Sequence, residues 1–165
     1  MKTTGKRFWY AAFVLLFAAS LGMAAQSAAV PKRLSARVHT MGASNIVELR
    51  DGTLTCTTFG PRRGNPQDRV ITPTEAQWRD FRQTLDDLNV WKWHGEYDDP
   101  GVLDGMGWSL DIAYADHDVK SSGANAYPAA NGEPNSQWTP TYPFRHYLAA
   151  LKRLTDGCAR VGVDY

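Results

Sequence analysis

The first thirty residues constrain everything after them. Lys2, Lys6 and Arg7 precede an uncharged stretch from Phe8 to Pro31, most apolar over Phe8–Gly22. A basic start, an apolar segment and then small residues is the layout of a secretory signal peptide. Cleavage after Ala24, with Gly22 at the other small position, or after Ala29, with Ser27, satisfies the small-x-small rule. The competing reading is an uncleaved N-terminal anchor, because Phe8–Val30 is just long enough to span a bilayer. Gln26, Ser27 and the alanine-rich second half make it a poor stop-transfer segment. The expectation is therefore a cleavable signal peptide over 1–29 and a single globular domain over 30–165. The domain is exported, periplasmic or secreted, with no stable membrane insertion after cleavage.

Export changes the meaning of the cysteines. Cys56 and Cys158 are the only two in the chain. In an oxidising compartment a lone pair most simply forms one disulfide, closing a loop of about 100 residues. In the chain-entropy model such a bond contributes roughly 4–5 kcal/mol. Two buried free thiols are the alternative. No C-x-x-C is present, and neither thiol has a Cys or His neighbour at ligand spacing, so no redox role, metal or cofactor is expected.

Charge and length narrow the class further. The 165 residues hold 18 Lys and Arg against 17 Asp and Glu; without the three leader cations, 15 basic face 17 acidic. A net charge of −2 with neutral histidines argues against a nucleic-acid partner, which needs a concentrated positive excess. The length suits one domain with its own core, expected to be monomeric.

Along the mature chain, residues 30–60 read as β. Asn45–Arg50 and Thr53–Phe59 flank Asp51-Gly52, a strong hairpin signal because both central residues of a type I′ turn need positive φ. Gly60–Arg69 reads as a loop, in which Arg62, Arg63 and Arg69 are available to an anionic partner. Thr72-Pro73-Thr74-Glu75 predicts a capping box with Pro73 at the first helical position. Trp78, Phe81, Leu85 and Leu88 then recur at 3, 4 and 3 residues, an apolar helical stripe that Asn89 ends.

Val90–Tyr97 reads as extended, with Trp91 and Trp93 on one side. Trp108, Leu110, Ile112 and Tyr114 alternate with polar or small residues, a half-buried strand. A second helix fits Pro143–Leu154, ended by Gly157. The predicted fold is α+β: a small antiparallel sheet of about four to five strands with two helices on one face, in the order β-hairpin–α–β-hairpin–α.

No motif names a reaction. Asp98–Gly105 is acidic and turn-rich but fails the EF-hand pattern. His94, Glu96, Asp104 and His117 are the residues a hydrolase or metal-dependent enzyme would use, yet their spacing matches no metalloprotease or nucleophile-elbow signature. Trp93, Asn125, Tyr127 and Trp138 are the candidate ligand- or partner-contacting residues, since exposed aromatics hold a sugar ring or a peptide at small entropic cost. Against that stands a structural corner, with Asn125 bonding loop backbone and Tyr127 inserted beneath the second helix. Three functions follow. The first is a non-catalytic exported domain acting through loops on a protein or cell-envelope partner. The second is a carbohydrate or cell-wall binding module, and the third is the hydrolase or metal enzyme.

Overall fold

The computed structural model describes residues 29–60, 66–99, 101, 105–135 and 139–160. Four strands come first: β1 (Arg33–Thr40), β2 (Ala43–Arg50), β3 (Thr53–Phe59) and β4 (Gln67–Ile71). Helix α1 (Glu75–Asp87) and a 3₁₀ turn (Val90–Lys92) follow. Next come β5 (Glu96–Asp98), β6 (Gly107–Ala113), β7 (Asp118–Ala124), β8 (Tyr127–Pro128), β9 (Pro134–Asn135) and helix α2 (Tyr142–Leu154).

This corrects the expected architecture. The main sheet has seven strands in the order β4-β3-β2-β1-β6-β7-β5, and β8 and β9 form a second sheet of two. Four strands, not a hairpin, precede α1. The main sheet is mixed, because β5 runs parallel to β7 while every other pair is antiparallel. The additions come from pairings without a local signal. In β4 (QDRVI) Gln67–Val70 are exposed and only Ile71 is buried. β5 is three residues long and finds its partner 26 positions away, Glu96 opposite Ser122.

Alternation divides the sheet into two unlike faces. Leu34, Ala36, Val38, Val47, Leu54, Cys56, Trp108, Leu110 and Ile112 are buried on one face and share a core with the inward residues of both helices. Among the described residues no helix covers the other face. Across its middle, Asp68, Thr57, Ile46, Arg37, Ser109, Ser122 and Glu96 stand side by side. The β2–β3 turn has Asp51 at φ 51° and Gly52 at φ 76°, the two positive values the Asp-Gly signal implies.

Helix α1 starts two residues later than the sequence suggests. Thr74 is its N-cap, and the reciprocal box is made with Gln77, not by Thr72 with Glu75. Trp78, Phe81 and Leu85 are buried, and Leu88 packs half-buried against them. At the end of α2 the Gly157 N–H bonds the Lys152 carbonyl at 2.8 Å, and the Asp156 N–H bonds Arg153 at 3.2 Å with Asp156 at φ 47°. This Schellman closure delivers Cys158 to β3. The Cys56–Cys158 disulfide is present, spanning 102 positions.

The other end of the core is aromatic. Phe144 is fully buried, with ring centroids of Trp108, Tyr127, Tyr147 and Trp93 at 4.8, 5.0, 5.8 and 6.4 Å. Gly123 makes this packing possible, because a Cβ there would lie 2.5 Å from the Trp108 indole nitrogen. That nitrogen donates to the Ala126 carbonyl at 3.0 Å, so the indole has nowhere to go.

Candidate functional site

The structure distributes the residues singled out above instead of gathering them. Trp93 is buried against Trp108, Phe144 and Tyr147, and Tyr127 against Phe144, so neither offers a ring to a ligand. Asn125 sits in the left-handed region at φ 55°. Its side-chain oxygen accepts the Met106 N–H at 2.9 Å, and its own N–H bonds the Met106 carbonyl at 3.0 Å. Gly105 must lack a Cβ for that approach. Asn125 and Tyr127 thus make the structural corner. Trp138 and Asp104 lie outside the described residues.

His94 and His117 occupy separate neighbourhoods. The His94 N–H donates to the Tyr97 hydroxyl at 2.8 Å, and that hydroxyl donates to the Gly132 carbonyl at 2.5 Å. The His94 ring faces Glu133 at 3.8 Å, while Glu96 is exposed on β5. Among the described residues no three His, Cys, Asp or Glu gather as a metal site would require. Trp91 and Trp93 also separate, contrary to the extended reading. Asn89 turns left-handed at φ 53° and a 3₁₀ turn follows, rotating the chain by about 120° per residue, so neighbours two apart point apart.

Trp91 instead belongs to a cluster that sequence reading missed. The Arg82 guanidinium, its side chain only 16% exposed, meets Asp116 through two bonds of 2.9 and 2.8 Å. Its Nε bonds Asp86 at 2.9 Å, and the Trp91 indole donates to the same carboxylate at 2.7 Å. The guanidinium carbon lies 4.5 Å from the Tyr114 ring centroid and 5.2 Å from that of Trp91. His117 stands beside Asp116 at 3.0 Å and over Trp91 at 5.1 Å. Bonding to Arg82, then to His117, holds the Asp116 carboxyl well below the usual carboxylate range, and bonding to Asp116 raises Arg82. Burial pushes the Tyr114 phenol up.

Shifted groups of this kind often mark active sites. Here Arg82 uses Nε and both terminal nitrogens within the protein, and the edge-to-face pair of Tyr114 and Trp91 packs against it, so its charge is already engaged structurally. It is a clamp joining α1, the 3₁₀ turn and the β6–β7 turn. The pH consequence has a definite sign. Asp116 has a lowered folded pKa, so its contribution is present above the unfolded value near 3.8 and is lost as pH falls through the folded one. Stability should therefore decline as acid is added below about pH 5, and Asp116→Asn should flatten that decline. Thermal melts between pH 2 and 7 check this; parallel profiles for the two proteins would contradict it.

The larger clefts are open at the surface. One of about 540 Å³ lies between the β2–β4 end and the tail after α2, lined by Thr58, Arg69, Cys158 and Arg160. Its charges are internally engaged, with Arg69 on Asp156 at 2.5 Å. A second, of about 510 Å³, runs between α1 and α2. A third, of about 460 Å³, lies on the helix-free face, lined by Arg37, His39, Thr40, Gly42, Ala43, Ser44, Ile46 and Phe59. Its signal was legible, since Arg37 and His39 are the outward residues of an alternating strand. No helix among the described residues is long and apolar enough to cross a membrane. No protein-family model matches the sequence, and no curated protein is significantly similar to it.

Proposed function

We propose that this chain is an exported, non-catalytic domain that acts by docking a protein partner, in the envelope or outside the cell. The helix-free face of the sheet is the observation that carries this reading. Seven strands at a spacing of about 4.8 Å make a stiff platform roughly 30 Å across, comparable to one side of a standard protein–protein interface. The platform replaces the loops as the acting surface. The apolar leader and the disulfide support export. Ala29 is buried against the core, so cleavage after Ala24 keeps it in the mature domain and cleavage after Ala29 discards it.

Site-specific photo-crosslinking in the producing cell tests the reading. A crosslinker at Thr57 or Ser109, both on the helix-free face, should give one discrete protein adduct. The same group at Asp87, exposed on α1, should give none. Adducts from Asp87 alone, or none from either sheet position, would contradict the assignment.

A further inference from the structure

Resting on that reading, we infer that the depression over the β1–β3 end of the helix-free face is the docking point, and that its occupant is an acidic peptide segment carrying an apolar side chain. Three observations converge there. The lining includes half-buried Ile46 and Phe59, 40% exposed, and Met41 at the adjoining turn is 80% exposed. Exposed aromatic, Met and Arg side chains together are the composition that protein interfaces favour.

Second, the charge is one-sided. Arg37 and His39 line the depression, and among the described residues no carboxylate does. Arg37 has no bonded partner among the described residues. The carboxylates on neighbouring strands are engaged elsewhere: Glu48 with Arg50 at 2.5 Å, Asp111 with Arg33 at 2.8 Å, and Asp68 with the Thr57 hydroxyl at 2.6 Å. A guanidinium beside an apolar patch is complementary to a carboxylate one or two residues from a Leu, Phe or Trp.

Third, the imidazole of His39 is set in place by a missing side chain. A Cβ on Gly107 would lie 2.1 Å from its Cε1, so the ring occupies the space over Gly107 on the next strand. A volume of about 460 Å³ holds two or three side chains, not a folded module. The face as a whole sets Arg33, Arg37, Arg50 and Lys120 against Glu48, Asp68, Glu96, Asp98, Asp111 and Asp118, so it lacks the positive excess an anionic bilayer requires.

The test uses the chain isolated from the producing cells and a displayed library of random twelve-residue peptides. Enriched peptides should combine Asp or Glu with a large apolar residue. A synthetic copy of the leading peptide should bind Arg37→Glu and Phe59→Ser at least about tenfold more weakly, with Asp87→Ala within twofold of the parent. Gly107→Ala removes no contact group and should still weaken binding several-fold by displacing His39, in a chain whose melt is near that of the parent. Enrichment of peptides that bind Arg37→Glu as well as the parent overturns this inference and leaves a partner-binding domain standing. No enrichment over an unrelated disulfide-bonded control also overturns it. So does Arg37-dependent binding of polygalacturonate or of anionic vesicles in place of peptides. Failure of the broader reading shows separately, as absent sheet-face adducts in the cell.

Discussion

Removing the disulfide should lower stability by about 4–5 kcal/mol and the melting midpoint by on the order of 15 °C. The expectation rests on position. Cys56 is fully buried in β3, near the middle of the first four strands, while Cys158 closes the segment after α2. Their bond spans 102 positions, so the unfolded chain loses a large share of its freedom when they are joined. Cys56→Ala with Cys158→Ser is the right pair, because serine at 56 would add a buried hydroxyl and its own penalty. Reductant should bring the parent to the same midpoint. A double variant melting within about 3 °C of the parent would mean that the tail is held by its other contacts. Those include the Arg160 N–H on the Asn45 side chain at 3.0 Å and buried Ala159.

The second large effect lies at the opposite end of the core. Phe144→Ala should cost about 3–5 kcal/mol in urea unfolding with an unchanged m-value. Rings from β6, β8, α2 and the segment after the 3₁₀ turn all meet Phe144, and none can close the gap without moving its own strand or helix. Trp108 in particular is fixed by its bond to Ala126 and by contact with Gly123. Within the same cluster Tyr147→Phe should be neutral or slightly stabilising, because the buried Tyr147 hydroxyl has no hydrogen-bond partner among the described residues. Burial also raises the phenol pKa. Loss of more than about 1 kcal/mol in Tyr147→Phe would show that the hydroxyl is used.

What the sequence disclosed follows the range of each signal. The Asp51-Gly52 hairpin, the buried stripe of α1 and the end of α2 rest on residues within one or two turns of each other, and those local rules hold. The cap of α1 moved from Thr72 to Thr74 because Thr74 with Gln77 is an equally good box. Choosing between the two takes the position of β4, whose last residue is Ile71. The sheet grew beyond the expected size through β4 and β5, short edge strands whose pairing is decided by what lies beside them in space. The Arg82 clamp shows the same limit. Its Arg82–Asp86 leg is a visible i,i+4 pair, but Asp116 and Trp91 reach it only through the tertiary fold. Trp93 and Tyr127 read as candidate contacts because tryptophan and tyrosine serve cores and binding faces equally well. Only burial separates the two uses.

The central claim is that the two faces of the sheet divide labour, one holding the fold and the other meeting a partner. The most direct measurement makes Arg37→Ala, Ile46→Ser and Phe59→Ser together and follows two quantities in the same protein: the thermal midpoint, and the adduct formed in cells from a crosslinker at Ser109. These side chains lie outside the buried core, so the midpoint should fall by no more than a few degrees while the adduct disappears. An adduct that persists at the parent level in a folded triple variant would contradict the account.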